Sequence, residues 1–380
     1  MRKISFIISI ILLITTINIP CFAISAQSAV VMDCASGRIL FSRNGSEKRG
    51  MASTTKIMTA ITALENADLN KTVTISPTAS GVEGSSMYLA KGEKLTLEEL
   101  VYGLMLVSGN DAATAIAEAV SGSVEKFSVL MNDKAYEIGA INTSFTNPHG
   151  LSDKSHYTTA VDLAKITAYA LMNPRFAEIV STKVKKLPQS EGSIARTLVN
   201  HNKFLNMYEG CIGVKTGFTK ATGRCLVTAV EKNGMKLVCV TLNAPDDWND
   251  HKQLYNKAFE EYSPYKVKNN GDKIADAKIT RGTADTVPLV VSEDIYLPLK
   301  QGEEQRLNVE HRIFEDLSAP IVKGDTLGSI DISLDGKLLA EFPIVAEVDI
   351  AEKKQIFKKP ESSIITTTKK LFFAWLTCFK

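Results

Sequence analysis

The segment "MASTTKIMTA" places Ser53 three residues before Lys56, at the start of an apolar helical run. Residues three apart share one face of a helix, with Cβ atoms about 5–6 Å apart, so the amine can reach the hydroxyl. A lysine in a desolvated, cationic site can accept the proton of a serine and make it a nucleophile. The pair therefore predicts a nucleophile with its base, although a polar helix start explains the same two residues.

The same spacing occurs again at Ser123 and Lys126. There the serine follows a glycine and an acidic residue separates it from the lysine, which favours an ordinary helix N-cap with a solvated lysine. The choice between the two copies depends on other polar groups that the fold brings close.

Two further polar groups have the right chemistry for such a site. Ser108 and Asn110 interrupt a long apolar helical run in "LVSGNDAA", where they are unfavourable for a helix interior. A hydroxyl and an amide facing a cleft could relay a proton and hold a substrate carbonyl. Lys215, Thr216 and Gly217 lie on a predicted strand, where a lysine can attract a carboxylate and a glycine permits close backbone approach.

These groups require a scaffold that mixes helices and strands. The periodicity predicts a β-hairpin in "SAVVMDCASGRILFSRN", with Asn233-Gly234 as the turn of a second hairpin. Strands on both sides of a helical block predict an α/β domain over about residues 27–262. The predicted helices span 52–63, 96–120 (interrupted at "SGND"), 159–171 and 250–262, and the later strands span 213–216, 225–230 and 236–242.

The two ends of the chain and the region after residue 262 have a different character. Short β-like runs with Gly and Asp turns predict a small all-β domain over residues 263–350. Residues 1–23 carry Arg2 and Lys3 before an apolar run and a small-residue site at Ala23, which is typical of a cleaved export signal. Residues 351–380 end in "KKLFFAWLTCFK", which predicts a tether and an amphipathic anchor lying in the membrane surface. An exported protein at the outer face of the cell membrane is expected.

Composition excludes several classes of function. The chain is 44% hydrophobic and 23% charged, as in soluble globular proteins, and its net charge of +2 argues against nucleic-acid binding. Of its six cysteines, removal of Cys21 with the leader leaves an odd number. In the hairpin register, Cys225 and Cys239 point to opposite faces of the sheet and cannot pair. No CxxC motif or histidine cluster predicts a metal site, and no cofactor is expected.

The order Ser-x-x-Lys, Ser-x-Asn and Lys-Thr-Gly matches the signature of penicillin-recognising acyl serine transferases. Within that class the chain resembles the low-molecular-mass D-alanyl-D-alanine carboxypeptidases of peptidase family S11. The resemblance covers nearly the whole chain. It implies a β-lactamase-like domain with an antiparallel sheet and a helical cluster, followed by a small β domain. The segments that carry it are "SAVVMDCASGRILF", "MASTTKIMTA", "EGSSMYLAKGEKLTLEELVYGLMLVSGNDAA", "TSFTNPHGL", "HYTTAVDLAKI" and "GVKTGFTKATGRCLVTA".

The resemblance also implies roles for individual residues. Ser53 would attack an acyl-D-Ala-D-Ala stem peptide of peptidoglycan, or a β-lactam that inhibits it covalently, with Lys56 as general base. The backbone N–H of Ser53 and one just beyond Gly217 would form the oxyanion hole. The other implied site residues are Ser108 and Asn110, which shape the cleft and help proton transfer, and Lys215, Thr216, Gly217 and Ser86 on the substrate-binding side.

The sequence departs from the family at two positions. Phe218 follows Lys-Thr-Gly where some relatives carry histidine, and His201 stands where some carry arginine. These differences affect carboxylate binding and deacylation, not the reaction class. The loop "NPHGL" with Asp162 resembles one beneath the family's site, where we expect a scaffolding role.

Two other functions are compatible with parts of the pattern. A class A β-lactamase needs a deacylating glutamate in a Glu-x-x-Leu-Asn loop between the second and third motifs. That string occurs at Glu304–Asn308, far downstream of Lys215, and is interpreted as coincidence. A non-catalytic sensor of wall peptide or β-lactam would have no need of Ser53 with Lys56. The motifs do not separate carboxypeptidase from transpeptidase activity.

Overall fold

The computed structural model describes residues 23–189 and 192–353. The expected export signal and the expected tail, with Cys21 and Cys378, therefore lie almost wholly outside the described residues. The described chain divides into two compact units. The first comprises residues up to 267 together with 296–308 and 332–340, and the second comprises 268–295, 309–331 and the residues from 341 onward.

The secondary structure of the described residues is as follows. The strands are β1 (Ser28–Asp33), β2 (Ile39–Arg43), β3 (Thr72–Thr74), β4 (Lys94–Thr96), β5 (Val184–Leu187), β6 (Arg196–Val199), β7 (Cys211–Thr219), β8 (Gly223–Lys232), β9 (Met235–Leu242), β10 (Ser263–Lys268), β11 (Lys273–Lys278), β12 (Thr286–Val291), β13 (Ile295–Leu299), β14 (Leu307–Ile313), β15 (Thr326–Leu334) and β16 (Lys337–Ala346). The helices are α1 (Lys56–Asn66), α2 (Pro77–Ser80), α3 (Leu97–Leu106), α4 (Asn110–Ser121), α5 (Val124–Glu137), α6 (Ala160–Met172), α7 (Pro174–Ser181), α8 (Phe204–Met207) and α9 (Asp247–Glu261), with 3-10 turns at Ala52–Thr55 and Glu304–Arg306.

The first unit is built on an antiparallel sheet with the strand order β2-β1-β9-β8-β7. Both faces of its middle strands are covered, which explains their continuous apolar sequences. Val30 and Met32 of β1 belong to the core beneath the helical cluster, whereas Ala29 and Val31 pack in a second core with α9. The sheet therefore lies between two helical layers, which agrees with the predicted α/β fold class.

The hairpin predicted at Asn233-Gly234 is confirmed. Both residues have positive φ angles, 53° and 75°, which is the backbone conformation that a two-residue type I′ turn requires. The register pairs Cys225 with Leu242 and Cys239 with Thr228. Cys225 consequently belongs to the core under the helical cluster and Cys239 to the core under α9, and both thiols are free.

The helix predicted over 52–63 begins differently from the expectation. Residues Ala52–Thr55 form a 3-10 turn, and the α-helix starts only at Lys56. Ala52 has a φ of +48°, an uncommon conformation for alanine that lets the chain turn sharply into the helix. Ser53 therefore lies in a tight turn at the N-terminal end of α1, rather than inside the helix.

The helix predicted over 96–120 is two helices. Helix α3 begins with a capping box between Thr96 and Glu99, as the Thr-x-x-Glu spacing favours. It ends where Ser108 adopts a φ of +63°, and α4 starts again at Asn110. The interruption at "SGND" is thus a real break that places Ser108 outside both helices.

Ser123 is the N-cap of α5, and its side chain accepts a hydrogen bond from the Lys126 backbone N–H. This confirms the interpretation of the second Ser-x-x-Lys as a helix start. Helices α2, α7 and α8 and the antiparallel strand pairs β3–β4 and β5–β6 were not predicted. Their short or weakly periodic sequences give little local signal.

Residues 263–350 form strands and one 3-10 turn, as the turn-rich sequence predicted. Five of the strands make a sheet with the order β11-β12-β16-β15-β14. Val287, Leu289, Ile330 and Ile344 of this sheet are fully buried. Across residues 23–189 and 192–353, none of the helices combines the length and the hydrophobicity needed to cross a membrane.

Candidate active site

Ser53 and Lys56 are in contact. The Lys56 Nζ atom lies 3.1 Å from Ser53 Oγ, 2.7 Å from Asn110 Oδ1 and 2.6 Å from the backbone carbonyl oxygen of His149. Lys56 is completely buried, whereas Ser53 is partly exposed in the cleft. The structure therefore brings together the Ser-x-x-Lys pair and the asparagine of Ser-x-Asn.

The surroundings of Lys56 favour its neutral form. Burial and, second, the positive charge of Lys215 lower the pKa of Lys56 well below its ordinary value, while Asp111 acts in the opposite direction. A neutral amine has two N–H groups and one lone pair. The Asn110 and His149 oxygens can accept the two N–H groups. The lone pair is then left for the hydroxyl proton of Ser53, which is the arrangement that a general base needs.

Ser108 and Asn110 reach the site through the break between α3 and α4. Ser108 lines the same cleft as Ser53, and its positive φ turns the chain between the two helices. Asn110 donates its amide Nδ2 to the Glu83 carbonyl at 2.6 Å, which fixes the orientation of the oxygen that faces Lys56. The two residues thus hold a hydroxyl and an amide beside the Ser53–Lys56 pair.

Strand β7 supplies the other side of the site. Thr216 and Gly217 line the cleft with Ser53. Lys215 is buried, its Nζ donates to the Thr216 carbonyl at 3.0 Å, and burial lowers its pKa from 10.5 to about 7. Lys215 therefore supports the cleft from below and contributes to the field that keeps Lys56 neutral.

Gly217 brings the strand against the turn that holds Ser53. A Cβ atom at position 217 would lie 3.1 Å from the backbone nitrogens of both Ser53 and Thr54. Only a residue without a side chain leaves this space free. An oxyanion could occupy the gap beside the Ser53 N–H, at the end of a short helical segment where negative charge is favoured.

Ser86 does not line the cleft. Its hydroxyl donates to Asp111 Oδ2 at 2.6 Å, and Asp111 also accepts the backbone N–H groups of Met87 and Leu89. Ser85 lines the cleft instead. A one-residue difference within "GSSM" cannot be resolved from sequence, because both serines are compatible with the motif.

Two histidines lie beneath the site. The Thr146 N–H donates to His156 Nδ1 at 3.1 Å, so the proton of the neutral ring is on Nε2, which lies 2.7 Å from Thr55 Oγ1. Burial lowers the pKa values of His149 and His156 to about 4, so both rings are neutral at pH 7. His156 therefore supports Thr55 in the turn that holds Ser53, and the "NPHGL" loop contributes the His149 carbonyl to Lys56. Asp162 accepts hydrogen bonds from the Asn142 N–H and the Thr143 hydroxyl.

These groups open onto a cleft of about 380 Å³. Sequence reasoning missed several of its walls, because they come from segments far apart in the chain. Among the described residues, no group of three His, Cys, Asp or Glu side chains is arranged to hold a metal ion. The cleft is lined by Ser53, Ser85, Ser108, His201, Lys203, Thr216, Gly217, Phe218, Arg224, Asp247 and Trp248.

An antiparallel sheet between helical layers, with Ser-x-x-Lys on a helix start and Lys-Thr-Gly on an edge strand, defines the class of penicillin-recognising serine enzymes. Residues 15–246 match the family model for D-alanyl-D-alanine carboxypeptidase (peptidase S11), and residues 262–352 match that for the C-terminal domain of penicillin-binding protein 5. The chain belongs to the S11 D-alanyl-D-alanine carboxypeptidase family of serine hydrolases.

Individual relatives agree with this assignment over most of the chain. The D-alanyl-D-alanine carboxypeptidase DacF of Bacillus subtilis is 34% identical over 334 residues, covering 86% of each chain. DacA of Haemophilus influenzae is 32% identical over 366 residues, covering 92% of this chain and 91% of the relative. The crystal structure of penicillin-binding protein 5 from Haemophilus influenzae superposes with a TM-score of 0.69 at 30% identity, covering 88% of this chain and all of that one.

Proposed function

We propose that the protein removes the terminal D-alanine from peptidoglycan stem peptides through an acyl-enzyme on Ser53. The observation that carries this proposal is the contact between Ser53 Oγ and a buried Lys56 whose two other polar contacts are hydrogen-bond acceptors. Family membership supplies the reaction class, and the geometry of the site supports the roles proposed for the individual residues.

In acylation, Lys56 Nζ takes the proton of Ser53 Oγ as the oxygen bonds to the carbonyl carbon of the penultimate D-alanine. The tetrahedral oxyanion lies between the Ser53 N–H and the strand beyond Gly217. The bond to the terminal D-alanine then breaks, and its amine receives the proton from Lys56 through the nearby Ser108 hydroxyl. Asn110 keeps the Lys56 lone pair directed at Ser53 throughout.

In deacylation, water replaces the leaving amine. It loses a proton to Lys56, attacks the ester carbonyl and releases the shortened peptide, while Ser53 Oγ regains its proton. A β-lactam follows the first step, but its leaving amine stays attached to the adduct and obstructs water. Penicillins are therefore expected to inhibit the protein covalently, with Thr216 and Lys215 supporting the carboxylate side of the ligand.

The test is D-alanine release from a stem pentapeptide, measured together with the intact mass of the protein after penicillin treatment. The wild type should release D-alanine and gain the mass of one penicilloyl group, and Ser53→Ala should do neither. Ser123→Ala is the matched control, because it removes the serine of the second Ser-x-x-Lys, and it should retain both. A penicilloyl adduct on the Ser53→Ala protein would contradict the assignment of the nucleophile.

The β-lactamase alternative has no support from the cleft. Glu304 of the downstream Glu-x-x-Leu-Asn string lies in the 3-10 turn Glu304–Arg306 and is not among the residues that line the Ser53 cleft. We therefore expect penicilloyl adducts to be released slowly. The mass measurement over time also tests this expectation, because rapid loss of the adduct would favour a β-lactamase.

The ends of the chain complete the proposal. Residues 1–23 would direct export, and the catalytic domain over 27–262 and the β domain over 263–350 would then work at the outer face of the cell membrane. The lysines and aromatic residues of 351–380 would bind the membrane surface. Sedimentation with anionic phospholipid vesicles should retain a chain of residues 27–380 and not one that ends at residue 350. Equal retention of both would contradict a role for the tail.

A further inference from the structure

The segment 83–90 forms part of the cleft wall and holds Asn110 in place. It lies between α2 and β4, contains neither helix nor strand, and contributes Ser85 to the cleft lining. The Ser85 carbonyl accepts the Asn110 backbone N–H at 2.7 Å, and the Glu83 carbonyl accepts the Asn110 amide at 2.6 Å. The Asn110 Oδ1 atom in turn accepts a hydrogen bond from Lys56. The orientation of the base therefore depends on where this segment lies.

The segment belongs to no helix or sheet, so its backbone groups need other hydrogen-bond partners. Two charged side chains supply them. The Asp111 carboxylate accepts the N–H groups of Met87 and Leu89, at 3.1 and 3.0 Å. The Arg196 guanidinium donates from Nε to the Met87 carbonyl and from Nη2 to the Tyr88 carbonyl, both at 2.9 Å. The segment is thus held through its N–H groups by an anion and through its carbonyls by a cation.

Arg196 is itself fixed by Glu93. The guanidinium contacts both carboxylate oxygens, with Nη2 at 2.8 Å from Oε2, and the side chains of Arg196 and Glu93 are 8% and 4% exposed. Glu93 also accepts the Ala90 N–H at 3.0 Å, at the end of the segment. Nη1 donates to the Ile194 carbonyl as well, so each of the five N–H groups of the arginine has an acceptor. An ammonium group has only three donors and cannot replace this planar fork.

Stability alone is a weak explanation for this ion pair. The cost of removing two charges from water offsets most of their attraction, so buried ion pairs often add little to the free energy of unfolding. Arg38 and Glu303 form a similar pair elsewhere, with 8% and 11% exposed side chains. Arg38 also donates to a backbone carbonyl, that of Pro298, but none of these residues lines the cleft. The two pairs are alike in burial and in their hydrogen bonds, and they differ in what they hold.

We propose that Arg196, fixed by Glu93, is a positioning residue for the catalytic pair. By holding two carbonyls of the segment 83–90, it fixes Asn110 against Lys56. The inference rests on the proposed acyl-enzyme mechanism and adds a residue on β6 that belongs to none of the three motifs and does not line the cleft. Its loss should slow the chemical step and leave ligand affinity unchanged, because a displacement of about 1 Å at the reacting groups can cost about 100-fold in rate.

The experiment follows acylation by penicillin in single turnovers through the intact mass of the protein. The concentration dependence gives the maximal rate constant and the concentration at half-maximal rate, and the final mass gives the fraction of chains that react. Arg196→Lys keeps the charge and loses the fork. It should lower the maximal rate constant about 10- to 100-fold, change the half-maximal concentration by less than about twofold, and still let all chains react. A purely structural role would instead lower the fraction that reacts and leave its rate constant unchanged.

Arg38→Lys is the matched control, because it makes the same substitution in a similarly buried pair away from the cleft. It should change the maximal rate constant by less than about twofold. Arg196→Lys is also introduced into Asn110→Ala. There it should lower the rate constant by less than about threefold, because the contact that the arginine positions is already absent. Should Arg196→Lys alone fail to fold, the double variant Arg196→Met/Glu93→Gln removes both buried charges and should show the same decrease.

The outcomes separate this inference from the proposed function. A wild type that is not acylated and releases no D-alanine overturns the acyl-enzyme mechanism and this inference with it. A wild type that reacts, with Arg196 variants that react at the wild-type rate constant, overturns only the positioning role, whatever fraction of the chains reacts. An equal decrease in Arg38→Lys, or a full decrease in the Asn110→Ala background, also overturns the positioning role, because the effect would then not depend on the contact with Asn110.

Discussion

Replacing Lys215 with methionine should stabilise the folded protein at pH 7 while it reduces D-alanine release. Lys215 is 1% exposed, and burial lowers its pKa from 10.5 to about 7. In the unfolded chain the lysine has its ordinary pKa, so the unfolded state binds more protons between about pH 7 and 10.5. The contribution of Lys215 to wild-type stability therefore becomes less unfavourable as the pH rises through this window.

The size of the effect follows from the pKa difference. One pKa unit corresponds to 1.36 kcal/mol, so holding Lys215 in the fold disfavours the folded state by about 4 kcal/mol at pH 7 and about 2 kcal/mol at pH 9. Methionine has a similar length and no charge, but it loses the hydrogen bond to the Thr216 carbonyl, worth about 1 kcal/mol. We expect the free energy of unfolding of Lys215→Met to exceed that of the wild type by about 3 kcal/mol at pH 7 and by about 1 kcal/mol at pH 9.

Urea unfolding of both proteins at pH 7 and pH 9 measures this difference directly. The exposed Lys220→Met variant is the control and should differ from the wild type by less than about 0.5 kcal/mol at either pH. D-alanine release by Lys215→Met should fall about 100-fold, because the amine that supports Thr216 and helps to keep Lys56 neutral is lost. A gain of equal size at both pH values, or a loss of stability at pH 7, would refute the electrostatic explanation.

Gly217→Ala should lower kcat for D-alanine release about 10- to 100-fold, because the new Cβ would lie 3.1 Å from the backbone nitrogens of Ser53 and Thr54, where the oxyanion must bind. Steady-state kinetics measure this decrease in kcat. An unchanged kcat would contradict the placement of the oxyanion hole beside Gly217. Ser123→Ala should lower the free energy of unfolding by about 1 kcal/mol without affecting kcat, because it removes only the N-cap bond to the Lys126 N–H. A loss of activity in this variant would contradict the interpretation of the second Ser-x-x-Lys.

Local patterns were sufficient for the elements whose signals lie within a few residues. The Asn233-Gly234 turn fixed the hairpin register and with it the opposite orientations of Cys225 and Cys239. The interruption at "SGND" was visible because polar residues are unfavourable inside an apolar helix. The exact start of α1 was not predictable, because the 3-10 turn depends on the positive φ of Ala52.

The walls of the cleft could not be predicted in the same way. Arg224 and Asp247 are on different elements and meet only because α9 packs on the sheet beside β8. Ser85, and not Ser86, lines the cleft, because Asp111 accepts the hydrogen bond of the Ser86 hydroxyl. Tertiary contacts decide such details, and a single sequence does not encode them in any local pattern.

The opposite orientations of Cys225 and Cys239 make two reporters of local unfolding. Both side chains are fully buried, and burial raises the pKa of each thiol, so neither reacts with a thiol reagent while its own layer is closed. Opening of the helical cluster would expose Cys225, and detachment of α9 would expose Cys239. Rates of thiol trapping at the two positions would therefore show which side of the catalytic sheet opens first.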